Sequence, residues 1–379
     1  MDFALTEDQA AIQSTVRAFA DEKIAPFALQ WEEERTIPRD ILREAASLGL
    51  GGITVSEEHG GSALSRVESV LIFEALATAC PAVASFISIS NMCAWMIDSY
   101  GSAELRAKFV PKLCTFEHVA SYCLTEPGSG SDAAALKTRA VAQGNSAYTV
   151  TGAKAFISGG GYSDLYLVMC RTGEEGPRGI SCLLVENGAP GLSFGANEKK
   201  MGWHAQATAT VNLDGVAVPA AHRLGSEGEG FRIAMEGLNG GRLNIAAASL
   251  GAAQTALDKA LAYMKERKAF GRTLAEYQAL QFKAADMETE LQAARIFLYQ
   301  AAWKLANDAP DARKYCAMAK RLVTDTAFRV ANEALQIHGG YGYLRDFGIE
   351  KIVRDLRVHQ ILEGTNEIMR LIIARDLLG

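Results

Sequence analysis

The fold is constrained most strongly by a change of pattern along the chain, from helical to β-prone and back to helical. Apolar residues recur at helical spacing over long stretches of 230–379, which indicates an antiparallel bundle. Between 119 and 224 the pattern becomes short β-prone runs broken by glycine. An earlier helical pattern opens with a possible capping box of Thr6 and Gln9. The order predicts an α+β protein with an N-terminal helical domain (1–118), a central β domain (119–226) and a C-terminal helical bundle domain (227–379).

Composition excludes several classes of protein. The formal net charge of −6 comes without a basic run that could follow a phosphate backbone, so we expect no nucleic-acid partner. Apolar runs such as 82–89 are too short for a membrane span, so we expect no membrane insertion. The first residues lack a signal or transit pattern, which predicts a cytoplasmic location or a mature form.

Cysteine and histidine spacing gives no sign of a metal site. The seven cysteines never form a CxxC pair, and the six histidines include no HExxH pair. We therefore expect no catalytic metal, and we interpret the cysteines as small core residues.

The first candidate site is the glycine-rich segment Tyr122–Asp132. Its glycines free backbone N–H groups to meet a ligand, and its hydroxyls add uncharged donors, so a polar, electron-rich cofactor could bind there. A glycine-rich turn after a strand is the alternative. Gly128, Gly130 and Ala133 also fit a dinucleotide GxGxxA pattern, but no crossover helix is evident after them, and the nicotinamide-binding interpretation requires one.

The second candidate site spans 336–343 and 359–367. Glu363 follows the apolar pair Ile361 and Leu362 and precedes Gly364, which suits a carboxylate presented from a turn into an apolar cleft, where its pKa would rise toward that of a useful base. A solvated or capping glutamate is the alternative.

Two further segments could hold phosphates or a thioester. Arg267–Arg272, followed by Tyr277 and Gln278, could grip a pyrophosphate and its adenine, although it also fits a charged helix end. Asn239–Arg242 allows close backbone approach beside a guanidinium, although in isolation it suggests a helix start.

Together these motifs resemble the acyl-CoA dehydrogenase family. YCLTEPGSGSD resembles its first signature, QIHGGYGY with RDLRVHQILEGTNEIMR resembles its second, and RKAFGR lies between them. The resemblance implies an N-terminal helical domain, a central β-barrel-like domain and a C-terminal four-helix bundle, with FAD between the last two. It also implies oxidation of acyl-CoA to 2,3-enoyl-CoA, with electrons passed to an electron-transferring flavoprotein.

The resemblance further implies a role for each matching residue. Glu363 would be the catalytic base. Thr125 and Ser158 would lie near the reactive flavin ring, and a neighbouring subunit of a homotetramer would supply the residues for the ADP half, from Arg267 to Gly340. FAD would be bound by Tyr122, Cys123, Leu124, Thr125, Gly130, Ser131, Phe156, Ile157, Ser158, Arg267, Phe270, Tyr277, Gln278, Gln336, Ile337, His338, Gly339, Gly340, Thr365, Asn366 and Glu367. The acyl-CoA would be bound by Ser131, Asn239, Gly240, Gly241, Arg242, Glu363 and Arg375.

Within the family, stretches such as KAFISGGG and RLGSEGEGF most resemble members that convert isobutyryl-CoA to methacrylyl-CoA in branched-chain amino acid catabolism. A straight short-chain acyl-CoA, another 2-methyl-branched one, and an acyl-CoA oxidase using the same site are the alternatives. A CoA-binding scaffold without activity is disfavoured because Glu363 is present. Some family members carry the base at the position matching Gly241, where this sequence offers no carboxylate.

Overall fold

The computed structural model describes residues 4–379. Its N-terminal part is helical, as the pattern predicts, and Thr6 and Gln9 form the expected capping box at the first helix. A π-helical segment, Ala20–Ile24, continues that helix. The helices are α1 (Glu7–Phe19), α2 (Ala28–Glu34), α3 (Arg39–Ser47), α4 (Arg66–Ala77), α5 (Pro81–Tyr100) and α6 (Ala103–Cys114).

An eight-stranded sheet forms the middle of the chain. Most neighbours pair antiparallel, but β1 and β2 both pair parallel to β4. The glycine-rich segment begins in β1 and leaves the sheet edge after Cys123. The strands are β1 (Ala120–Cys123), β2 (Arg139–Gln143), β3 (Ala147–Ser158), β4 (Leu165–Arg171), β5 (Ile180–Glu186), β6 (Leu192–Phe194), β7 (Thr208–Pro219) and β8 (Arg223–Leu224), and their order is β6-β7-β3-β2-β4-β5-β8 with β1 beside β4.

The C-terminal part is built on three long helices, with two shorter ones packed against them. A small hairpin separates the first two long helices. The elements are α7 (Gly230–Glu266), β9 (Lys268–Ala269), β10 (Arg272–Thr273), α8 (Gln278–Ala306), α9 (Ala312–His338), α10 (Ile349–Arg357) and α11 (Asn366–Leu378).

Helix α7 is the element that all three parts share, because it packs against α4, α5, α8, α9 and β5. Its close contact with α4 depends on Gly251, where a Cβ atom would lie 2.0 Å from the Glu74 carbonyl oxygen. The seven cysteines are all buried, which confirms their interpretation as core residues. Within residues 4–379, no helix has both the length and the apolar character needed to cross a membrane.

Candidate active site

A short, tightly turned segment between α10 and α11 carries Glu363. Glu363 has a φ of 53° and Gly364 a φ of 89°, so both lie in the left-handed region. A glutamate rarely adopts this conformation, and such residues concentrate at functional sites. Thr365 then caps α11, because its side chain accepts a hydrogen bond from the Ile368 N–H at 3.3 Å. From this turn the Glu363 side chain reaches α7, where its carboxylate lies beside Gly241.

The Glu363 carboxylate lies directly against the backbone of Gly241 in α7. A Cβ atom at Gly241 would stand 2.6 Å from Glu363 Oε2, so only glycine leaves room for the carboxylate here. Among the residues that the structure describes, Oε2 is buried and has no hydrogen-bond partner. A buried oxygen that is left unpaired is costly, which indicates that it is kept free to interact with a ligand.

Two cations oppose the effect of burial on Glu363. Burial raises the pKa of Glu363 to about 7, while Arg242 and Lys320 act to lower it. Arg242 Nε donates to the Glu363 carbonyl oxygen at 3.2 Å. Lys320 Nζ donates to the Gly364 carbonyl oxygen at 2.9 Å. The two side chains hold the turn on both sides, and the carboxylate is left as a base that titrates near neutral pH.

Tyr122 in β1 is a second ionisable group near Glu363. Burial raises its pKa, and nearby groups that include the Glu363 carboxylate add to the rise. Its hydroxyl is 3.5 Å from the Ala234 carbonyl oxygen of α7. The β domain and α7 therefore meet at the catalytic candidate.

An exposed, strained aromatic residue stands beside the segment that follows β1. Phe156 has a φ of 58° and is 68% exposed, and it lies at a register shift between β3 and β7. The N–H of its neighbour Ala155 donates to the Thr125 carbonyl oxygen at 2.9 Å. A bulky residue in this conformation on an open surface fits the face of a planar cofactor, so the residues present are suited to the expected flavin ring.

The other residues predicted to contact the flavin from β1, the segment after it, and β3 differ in whether they are exposed or buried. Gly130 and Ser131 are exposed, and Leu124 and Ser158 are largely buried or half-buried. Cys123 and Ile157 point into the sheet's own core, so only their backbones could contact a cofactor. No crossover helix follows the glycines, because a 3-10 turn, Ala133–Ala135, leads into β2. The nicotinamide-binding interpretation therefore fails.

The residues predicted to hold the ADP half lie together at the other end of α7. Tyr263 near that end stacks on His338 of α9 at 4.5 Å, and the Arg267 guanidinium lies 5.3 Å from the Tyr341 ring centre. Most of these residues are exposed, but Tyr277 is half-buried, and Ile337 and His338 are buried. The exposed ones are Arg267, Phe270, Gln278, Gln336, Gly339 and Gly340. At 1.5 Å per residue, about 40 Å of helix separates this group from Gly241.

Several predicted contacts already have partners within the chain. Asn239 accepts from Arg242 at 3.1 Å. The Asn366 amide is bonded to Lys320, Thr324 and Asp325, so its side chain secures the start of α11. Glu367 and Arg375 are exposed on α11. The suggestion that Asn239–Arg242 begins a helix was wrong, since these residues lie inside α7.

Sequence reasoning missed Lys320 and His359. Lys320 is fully buried in an otherwise apolar stripe of α9, and a lone lysine in such a stripe was the available signal. His359 is buried four residues before the base. Its Nε2 accepts from Trp203 Nε1 at 3.2 Å, and its Nδ1 lies 2.7 Å from Ser249 Oγ. Burial lowers the pKa of His359 to about 3, so it is a neutral link between the β domain, α7 and the catalytic turn.

Comparison with known proteins matches the whole length of the chain. Family models for the N-terminal, middle and C-terminal domains of acyl-CoA dehydrogenase match residues 6–117, 121–216 and 228–378. The chain is 53% identical to a mitochondrial isobutyryl-CoA dehydrogenase of Bos taurus, over 99% of this chain and 90% of that protein. It is 54% identical to the corresponding Dictyostelium discoideum protein, over 98% and 90%. It superposes on butyryl-CoA dehydrogenase from Megasphaera elsdenii with a TM-score of 0.96 and 36% identity, over 100% of both chains.

Proposed function

This chain belongs to the acyl-CoA dehydrogenase family of FAD-dependent oxidoreductases, and from that premise we propose that it converts isobutyryl-CoA to methacrylyl-CoA with Glu363 as the base. One observation carries the proposal for the base. The Glu363 carboxylate rests against Gly241 with a buried, unpaired Oε2.

Proton abstraction at the α carbon needs an ionised carboxylate within reach of a weakly acidic C–H bond. Within residues 4–379, Glu363 Oε2 has no hydrogen bond that must break before it accepts that proton. Its pKa of about 7 matches the strength of the base to neutral pH, where a useful fraction is ionised and the conjugate acid still holds the proton. Arg242 and Lys320 anchor the backbone around it, so the carboxylate keeps its position during the reaction.

FAD, when bound, supplies the two-electron acceptor for the hydride that leaves the β carbon. Thr125, Phe156 and Ser158 would hold its ring. Removal of a proton and a hydride from adjacent carbons would leave the 2,3-double bond, and Tyr122 of β1 lies near the Glu363 carboxylate that accepts the proton.

The isobutyryl group is proposed because two relatives of that specificity are 53% and 54% identical to this chain over 374 aligned residues. A role in valine degradation follows from that substrate. A straight short-chain acyl-CoA is the alternative, supported by the butyryl-CoA dehydrogenase with the same fold. An acyl-CoA oxidase would use the same glutamate and return electrons to oxygen.

We further propose a homotetramer in which a neighbouring subunit holds the ADP half of FAD. The support is distance, since Arg267 lies about 40 Å along α7 from Gly241, too far to serve the flavin beside its own Glu363. Gln336 of α9 lies at the same end, near His338, which stacks on Tyr263. Exposed apolar side chains on this part of the chain, including Phe270 at 98%, Trp303 at 57% and Tyr343 at 84% exposed, would be covered by such contacts.

An electron-transferring flavoprotein is the proposed electron acceptor. The cytoplasmic location stays a prediction, and two of the relatives are mitochondrial proteins.

The test measures kcat/KM for isobutyryl-, butyryl- and hexanoyl-CoA with an electron-transferring flavoprotein or oxygen as acceptor. We expect isobutyryl-CoA to be preferred and oxygen to be a poor acceptor. A preference for hexanoyl-CoA would contradict the substrate proposal, and rapid oxygen consumption would support the oxidase.

A further inference from the structure

Three buried polar side chains form a hydrogen-bonded bridge across α4, α7 and α5. Ser69 Oγ donates to Asn244 Oδ1 at 3.0 Å, and Asn244 Nδ2 donates to Ser88 Oγ at 3.1 Å. The three residues are 1%, 4% and 2% exposed. Three apolar side chains could pack helices together without the cost of burying polar groups, so the position of this bridge needs an explanation.

The bridge lies one helical turn from the catalytic candidate. Asn244 follows Gly241 by three residues and Gly240 by four, so all three share one face of α7. Side chains on a helix lean toward its N-terminus, so the Asn244 side chain leans toward the turn of α7 that carries Gly241, where the Glu363 carboxylate lies. An acyl chain that presents its α carbon to Glu363 therefore has this amide close to its path.

Other directions along this face of α7 are already filled. A Cβ atom at Gly237, one turn before Gly241, would lie 3.0 Å from Met96 Sδ and 3.5 Å from Met92 Cγ. A Cβ atom at Gly240 would lie 2.6 Å from the Arg66 guanidinium, which itself lies over the ring of Trp95. With those two directions occupied, an acyl tail on this face of α7 would run from Gly241 toward Asn244.

We propose that Ser69, Asn244 and Ser88 form a polar floor that limits the acyl pocket to short chains. The proposal rests on the proposed function and deepens it by assigning the residues that set chain length. The floor is fixed in place because each hydrogen bond ties Asn244 to a different helix. Additional methylenes would either collide with the amide or separate it from its partners and leave buried polar groups unpaired.

The test compares hexanoyl-CoA with isobutyryl-CoA in Asn244→Ala, using holoenzyme with confirmed FAD content. Alanine removes the amide and opens space below Glu363, so the ratio of kcat/KM for hexanoyl-CoA over isobutyryl-CoA should rise by about tenfold, the lower end of what one methylene-sized contact is worth in discrimination. Ser88→Ala should raise the ratio less, because the amide remains but is less firmly held.

Thr255→Ala is the matched control. Thr255 also joins α7 to α4, through a hydrogen bond from its hydroxyl to the Thr78 carbonyl oxygen at 2.9 Å, but it lies about three turns beyond Asn244 along α7. Its loss should leave the substrate ratio unchanged within about twofold, so a rise in Asn244→Ala cannot be assigned to loosening of the α4–α7 contact.

A binding measurement separates this inference from the proposed reaction. In a Glu363→Gln background, calorimetry with hexanoyl-CoA and isobutyryl-CoA should show the same shift in relative affinity on adding Asn244→Ala. If the enzyme oxidises no acyl-CoA, the proposed function is wrong. The change in relative affinity for the two acyl-CoAs still tests whether the polar floor limits chain length. If the affinity and kcat/KM ratios both stay within twofold of the parent in folded, FAD-loaded protein, the polar floor is wrong. Should Asn244→Ala not fold, Ser69→Ala and Ser88→Ala, which each remove one hydroxyl, apply the same criterion.

Discussion

Replacing Glu363 with glutamine should make the holoenzyme more stable at alkaline pH while it loses activity. Burial raises the pKa of Glu363 to about 7, so the folded protein disfavours the ionised form that the unfolded chain carries freely. Ionising the buried carboxyl group therefore lowers the free energy of unfolding. This loss of stability is absent below the ordinary pKa near 4.5, grows between pH 4.5 and 7, and approaches its full size above pH 7. Glutamine stays neutral throughout and never incurs it.

The size of the effect follows from the shift in pKa. A rise from 4.5 to about 7 corresponds to an upper limit of about 3.4 kcal/mol, at 1.36 kcal/mol per unit. Glu363 is partly exposed as a residue, and solvent screening reduces that limit. We expect about 1 to 2 kcal/mol, or about 1 to 3 °C in Tm for a chain of this length.

The assay is thermal unfolding of both proteins at pH 5 and pH 8. The advantage of Glu363→Gln over the parent should be larger at pH 8, because the parent is then fully ionised at this site. Glu33→Gln, at an exposed position in α2, controls for the general effect of losing a carboxylate. A difference in Tm that is the same at both pH values would refute the raised pKa and the buried setting on which the choice of base depends.

Three further predictions concern the same site and its cofactor. Gly241→Glu with Glu363→Gly should restore a measurable part of the activity lost in Glu363→Gly, because a side chain at 241 starts 2.6 Å from the present position of the Glu363 carboxylate; substantial activity in Glu363→Gly alone would show that another residue is the base. Lys320→Met removes a cation that lowers the pKa of Glu363, so the acidic limb of the kcat profile should move to higher pH and kcat should fall about tenfold, and an unmoved profile would contradict the role of the lysine. Dilution to monomer should release flavin, whereas a stable monomer that keeps FAD in solution scattering would count against the shared cofactor site.

Local signals explain why the fold, and Glu363 as a candidate base on a turn, could be predicted. The capping box of Thr6 and Gln9 depends on residues three apart, and the helical and β-prone patterns reflect burial of one face of each element. Glu363 was found because the segment around it matches a family signature, and the glycine after it allows the turn that presents it.

Residues that act through distant partners could not be found in this way. His359 depends on Trp203, which lies in a loop of the β domain, and the polar floor joins Ser69 to Asn244 across two helices. A serine or asparagine in a helical pattern looks the same whether it faces water or a second helix. Lys320 lies in a mostly apolar run of α9, but only the packing shows that its amine reaches the Gly364 carbonyl oxygen beside Glu363.

The most direct test of the central claim is the anaerobic reductive half-reaction of the FAD-loaded protein with isobutyryl-CoA, followed by stopped-flow absorbance. The parent should lose its oxidised-flavin absorbance rapidly, and Glu363→Gln should bind the same ligand but bleach at least about a hundredfold more slowly, since its amide cannot accept the α proton. Bleaching of Glu363→Gln at a rate close to that of the parent would contradict the assignment of Glu363 as the base.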